Sequence, residues 1–143
     1  MATDDKNLWR ERWLACVNEL TSFDLQKSAW LDKTNTNPHW SFVEFLSSYF
    51  DDLGIEDSYE YPLERGWLTR QEFEIIKDWH ETLINYRSPQ YEDYNHEAIL
   101  NDPSWLAILQ KGLDVKNKLA LTLTEIEGKI LTTDIQLKST PAP

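Results

Sequence analysis

The side chains that could do chemistry in this chain are three histidines, one cysteine and many carboxylates. A zinc or di-iron site needs ligands at spacings that place them on one helix face, such as HExxH or ExxH. Neither pattern occurs with His39, His80 or His96, and Asp93-Tyr94-Asn95-His96 is the nearest approach. His80 is followed directly by Glu81, which points elsewhere on a helix. The sequence therefore predicts no metal site and no cofactor.

The single cysteine, Cys16, cannot form an intrachain disulfide or a CxxC site. It falls in a helical stripe with Trp9, Trp13, Val17 and Leu20. No base or cation beside it in that stripe would lower the thiol pKa. The pattern predicts a small buried hydrophobic residue rather than a nucleophile.

The motifs of nucleotide-binding and acyl-transfer enzymes, GxGxxG, the P-loop and GxSxG, are absent. Asp51 and Asp52 are adjacent carboxylates, and general acid–base work requires environments that push two such pKa values apart. We therefore expect no enzymatic activity. Two alternatives stay open: a small hydrolase or metal-dependent enzyme using Asp51, Asp52, His80 or His96, and a structural subunit of an assembly.

Charge is concentrated in the middle of the chain. The formal net charge is −11, and residues 34–102 account for it with 15 acidic and four basic residues. Residues 1–33 have a net charge of −1 and residues 103–143 of +1. Because nucleic acids and anionic membranes attract basic proteins, both are excluded as partners. The imbalance predicts either a solvated acidic stretch that favours solubility or a surface for a basic protein.

Tyrosines lie among these acidic residues, and tyrosine is favoured in protein interfaces because it buries much area for little lost conformational freedom. Surrounding carboxylates steer a basic partner. We therefore predict a partner-binding surface. Its residues are Tyr49, Asp51, Asp52, Glu56, Asp57, Tyr59, Glu60, Tyr61, Tyr91, Glu92, Asp93 and Tyr94.

The elements that must position these residues are helices. Apolar residues recur at helical spacing, which predicts an all-α protein: one domain over residues 1–138, an irregular bundle of about five helices, with a disordered tail at 139–143. The central helix is expected over 38–53 and stops at Gly54. Thr69-Arg70-Gln71-Glu72 fits a capping box that opens a helix to Tyr86.

The last predicted helix begins at Pro103, directs Trp105, Leu106, Leu109 and Leu113 inward, and extends to Glu127. A second interpretation competes with it after Gly112. Residues 121–124 alternate Leu and Thr, and Glu127-Gly128 could turn a short β-hairpin with 129–137.

The N-terminus has no basic region followed by an apolar stretch, and no window approaches 18 uninterrupted apolar residues. These features predict a cytoplasmic protein.

Three stretches, at residues 40–53, 66–69 and 99–105, resemble a family of small, largely helical bacterial proteins. Such families are similar to immunity proteins of contact-dependent and other polymorphic toxin systems. The resemblance covers roughly residues 40–110 and implies a helical fold whose function is to bind a toxin domain and block its active site.

Overall fold

The computed structural model describes residues 2–32, 34 and 41–133, with side chains from Asp5 onward. This part of the chain is all-α, as predicted, and contains no strand. It has eight α-helices and a single 3-10 turn at Pro89–Tyr91. The helices are α1 (Ala2–Thr21), α2 (Phe23–Trp30), α3 (Phe42–Phe50), α4 (Glu60–Glu64), α5 (Arg70–Asn85), α6 (His96–Leu100), α7 (Pro103–Ala120) and α8 (Glu125–Thr132).

Helix α1 lies at the centre of the bundle and contacts α2, α3, α7 and α8, while α5 packs along α7. The apolar stripe predicted around Cys16 is buried, so the interpretation of Cys16 as a core residue is confirmed. Large aromatic side chains fill the interior, among them Trp13, Trp79 and Trp105. Side chains of this size remove a large apolar area from water.

Side-chain caps decide where the helices begin. The capping box at the start of α5 is confirmed: Thr69 Oγ1 accepts from the backbone N–H of Glu72 at 3.1 Å, and Glu72 Oε1 accepts from the N–H of Thr69 at 2.9 Å. The Ser41 hydroxyl caps α3 by accepting the backbone N–H of Glu44 at 3.1 Å. This helix therefore starts at Phe42 rather than at residue 38. Residues 35–40 lie outside the described part of the chain.

The predicted count of about five helices is too low, and the β-hairpin is wrong. The chain leaves helical geometry after Ala120, and Thr124 then caps α8 by accepting the N–H of Glu127 at 3.2 Å. Glu125 and Glu127 fall in the first turn of α8, where they favour the positive end of the helix dipole. One long predicted helix is therefore two. The disordered tail predicted at 139–143 lies outside the described residues.

The inward face of α7 also differs from the prediction. Trp105 and Leu109 are buried, but Leu106 and Leu113 are exposed. Ile108, Gly112, Val115 and Leu119 complete the buried stripe. These positions form the buried face of α7 because α1 and α5 both pack against it. Gly112 allows the close approach, since Thr21 of α1 and Trp79 of α5 lie directly beside it.

A buried ion-pair network joins three helices. The Nη1 and Nη2 atoms of Arg10 in α1 donate to both carboxylate oxygens of Glu72 in α5, at 3.0 and 2.7 Å. Arg10 Nε donates to Glu127 in α8 at 2.7 Å, and Nη1 also donates to the carbonyl of Trp67 at 2.8 Å. Burial raises the pKa of Glu72, but the hydrogen bonds from Arg10 and Thr69 and the charge of Arg10 together outweigh it and lower the pKa.

Replacing Arg10 should unfold this junction. In Arg10→Met, Glu72 becomes a buried carboxylate without a cation, and we expect a loss of about 3–5 kcal/mol in the free energy of unfolding. Glu127→Gln is the control, because Glu127 is more exposed and Arg10 keeps Glu72; its expected loss is below about 1.5 kcal/mol. Urea unfolding followed by tryptophan fluorescence measures both. Equal losses in the two variants would contradict a buried Arg10–Glu72 pair.

Gly112 offers a second test. A Cβ at this position would lie 2.7 Å from Thr21 Cγ2 and 2.8 Å from Trp79 Nε1. We therefore expect Gly112→Ala to destabilise the fold by about 1–3 kcal/mol, although alanine is the better helix former. Gly128→Ala in α8 is the matched control, with open space around its Cβ and an expected gain of about 0.5–1 kcal/mol. Thermal unfolding distinguishes the two signs.

Candidate protein-binding surface

The loop after α3 and the short helix α4 enclose a depression of about 500 Å³, which we name the acidic groove. Among the residues that the structure describes, five carboxylates line it, and no lysine or arginine does. Its lining residues are Phe50, Asp51, Gly54, Glu56, Asp57, Ser58, Glu60, Tyr61 and Glu64. Five of the predicted partner-binding residues, Asp51, Glu56, Asp57, Glu60 and Tyr61, are thus brought together. Asp52 is exposed nearby but does not line the groove.

The loop at residues 51–59, which we name the groove loop, is anchored by buried residues. Gly54 takes a left-handed conformation with φ +68°, which reverses the chain after α3. On either side of it, Leu53 and Ile55 are buried, and the indole N–H of Trp9 donates to the carbonyl of Leu53 at 2.9 Å. The carboxylates therefore project from an anchored loop rather than from a free one.

Tyr61 forms the aromatic wall of the groove and is 39% exposed. The guanidinium carbon of Arg65 lies 3.8 Å from the centre of its ring, within the range of a cation–π contact. Trp67 packs edge-on against Tyr61 with ring centres 5.5 Å apart. Within the described residues, Arg65 forms no ion pair. Tyr61 is therefore a rigid ring that already binds one guanidinium.

Tyr49 and Tyr59 do not belong to the surface, contrary to prediction: their side chains are 0% and 1% exposed. They form a buried chain of hydrogen bonds instead. The indole N–H of Trp13 donates to the Tyr59 hydroxyl at 3.0 Å, which lies 2.6 Å from the Tyr49 hydroxyl, itself 2.9 Å from Nδ1 of His80. Polar partners from α1, α3 and α5 make burial of these hydroxyls favourable.

The direction of each hydrogen bond in this buried series follows from Trp13, whose indole N–H can only donate. Because an indole N–H only donates, Tyr59 accepts from Trp13 and can donate to Tyr49, which can donate to Nδ1 of His80. This order leaves the imidazole proton on Nε2, which makes no well-formed hydrogen bond. Tyr59 and His80 also line a smaller cavity of about 330 Å³, which shares Asp57 and Ser58 with the acidic groove.

Burial shifts the pKa values along this buried series of hydrogen bonds away from neutral pH. Burial lowers the pKa of His80 to about 4, against a backbone hydrogen bond of Ile55 that raises it. Burial also raises the pKa of Tyr49 and of Tyr59 above the ordinary tyrosine value. At pH 7 the imidazole is neutral and both hydroxyls are protonated. The arrangement ties Tyr59 to α1, α3 and α5.

The second acidic aromatic segment lies elsewhere. Tyr91 and Tyr94 are 79% and 71% exposed, and Glu92 and Asp93 between them are exposed as well. The ring of Tyr94 packs on His96, whose Nε2 accepts the N–H of Phe42 at 3.3 Å, at the start of α3. The acidic groove lies at the other end of α3, and a helix of nine residues is about 13 Å long. The predicted residues therefore form two surfaces, not one.

Sequence reasoning missed Phe50, Gly54, Ser58 and Glu64 as groove residues. A signal for Glu64 was present, because Glu60 and Glu64 are four residues apart and share one face of α4. Phe50 carries the apolar pattern of the core, and its partial exposure at the groove follows from where the chain turns after α3.

No group of three histidine, cysteine or carboxylate side chains among the described residues could hold a metal ion; His39 lies outside them. None of the described helices combines the length and apolar character needed to cross a bilayer. No protein-family model, curated protein or solved structure matches the chain. Function must therefore be argued from the two surfaces.

The pKa of His80 makes stability depend on pH. The unfolded histidine binds a proton near pH 6.5, whereas the folded one stays neutral down to about pH 4. The stabilisation is complete above pH 6.5 and falls as the pH drops towards 4, by about 2–3 kcal/mol. Urea unfolding at pH 7 and pH 4.5 measures the fall, and His80→Gln should reduce it. A fall of equal size in that variant would assign the pH dependence to other groups.

Proposed function

We propose that this chain is an acidic protein-binding module: an immunity protein that neutralises a basic toxin domain, with a nuclease as the first candidate. The observation that carries the proposal is the acidic groove. Its five carboxylates surround a depression beside an exposed tyrosine ring, and no basic residue of the described part of the chain lines it. The alternatives of an enzyme and of an assembly subunit have no comparable observation in their favour.

The charge of the groove favours a basic partner. Like charges this close repel one another, and a cationic surface that docks there relieves the repulsion. Asp51 adds a local conflict, because it follows the C-terminus of α3, where the helix dipole disfavours a negative charge. A bound lysine or arginine removes this conflict as well.

A nuclease is the first candidate because its active site binds phosphates and is therefore basic. An acidic surface imitates the polyanion in charge and steers association with such a site. The aromatic wall at Tyr61 adds contact area in the form that interfaces favour. Blocking is then both electrostatic and steric.

The proposal is tested with the proteins encoded beside the gene of this chain. The affinity-tagged chain is co-expressed with each of them, and growth and co-purification are measured. We expect one neighbour to be toxic alone, to be tolerated with the chain and to co-purify with it as a stoichiometric complex. If no neighbour is both rescued and bound, the immunity function is wrong.

In that complex, the acidic groove should control the association rate. Glu56→Gln with Asp57→Asn removes two groove charges, and we expect association to slow roughly five- to tenfold at low salt, with a weaker salt dependence. Glu11→Gln with Asp24→Asn also removes two negative charges, one from α1 and one from α2. It should slow association less than about twofold. Stopped-flow fluorescence measures both rates. Equal slowing would mean that net charge acts, and not the groove.

A further inference from the structure

The segment from Ser88 to Asn95, which we name the tyrosine knuckle, presents two aromatic rings to solvent. Tyr91 and Tyr94 are the most exposed large aromatic side chains in the described part of the chain. Exposed aromatic rings held side by side with charges are typical of contact surfaces. The knuckle is separate from the acidic groove, at the opposite end of α3.

The backbone of the knuckle is strained and well held. Gln90 and Tyr91 have φ values of +57° and +58°, which non-glycine residues rarely adopt. The Ser88 hydroxyl donates to Asp93 Oδ1 at 2.6 Å, and the N–H of Tyr91 donates to the carbonyl of Ser88 at 2.9 Å. Because the Tyr91 ring stays exposed, its own burial does not offset this strain. The hydrogen bonds within the turn hold this backbone conformation instead.

The charges of the knuckle select a cation. Glu92 lies in the knuckle, and Glu97 lies just after it in the first turn of α6. Both are exposed, and neither forms an ion pair within the described residues. No described lysine or arginine lies over either ring. A planar guanidinium satisfies both features, because it stacks on tyrosine and pairs with carboxylates through several donors. The contact of Arg65 with Tyr61 shows the same chemistry within this molecule.

We propose that the tyrosine knuckle is a second contact surface, which binds arginine side chains of the basic partner. The inference rests on the proposed function for the identity of that partner. The groove and the knuckle then have different tasks: the groove carboxylates accelerate encounter, and the exposed rings of the knuckle prolong the complex. Arginine is preferred to lysine at the knuckle because only the guanidinium stacks well on a ring.

The test uses two fluorescein-labelled peptides of equal length, nona-arginine and nona-lysine, titrated by fluorescence anisotropy at about 0.15 M salt. We expect the wild-type chain to bind nona-arginine more tightly. Tyr91→Ala with Tyr94→Ala should weaken nona-arginine roughly five- to tenfold and nona-lysine less than about twofold. Tyr91→Phe with Tyr94→Phe keeps the rings and should bind as the wild type does.

The control removes two exposed apolar side chains elsewhere, Leu121→Ala with Ile126→Ala, and should leave both affinities unchanged. Circular dichroism verifies that each variant is folded. Equal weakening of both peptides, or no weakening in the double-alanine knuckle variant, overturns the knuckle proposal whether or not a toxin is found. Failure of the toxin experiment with the arginine preference intact overturns only the immunity function.

Discussion

The side chain of Arg10 is the interaction on which much of the structure depends. It lies between the carboxylates of Glu72 and Glu127 and also holds the carbonyl of Trp67. A charge this deeply buried is costly unless it is paired, and here four of its hydrogen bonds go to carboxylate oxygens. The same bonds fix the start of α5, and with it the loop whose Trp67 ring packs on Tyr61. A buried ion pair thereby positions the wall of an exposed groove.

The acidic groove combines surface charge with an anchored base. Its carboxylates remain in solvent, where repulsion between them is weakest. Leu53, Ile55 and Tyr59 of the same loop are buried in the core. Tyr59 is one of these inward residues, and its hydroxyl joins the buried chain that runs from Trp13 to His80. The loop can therefore concentrate negative charge without losing its conformation. A preorganised surface of this kind loses little entropy when a partner binds.

Helix α3 separates two surfaces with different physical character. Beyond its C-terminal end lies a concave set of carboxylates beside the exposed ring of Tyr61. Near its N-terminal end lies a convex turn with two rings and fewer charges. Long-range attraction belongs to the first and short-range contact to the second, since charge acts over the Debye length whereas ring stacking requires contact. The proposed capture of a basic protein rests on the first property, and its retention on the second.

The amino-acid sequence by itself determined the features that depend on near neighbours. The helical period gave the all-α class, Thr69 and Glu72 gave the start of α5, and the count of charges gave the acidic middle of the chain. Only the tertiary structure decided which side chains face solvent. Tyr59 and Tyr61 are two residues apart among the same acids, yet one is in the core and the other on the groove wall. The reason is that a polar side chain is buried where a partner meets it, and those partners come from distant helices: Trp13 is 46 residues from Tyr59 along the chain.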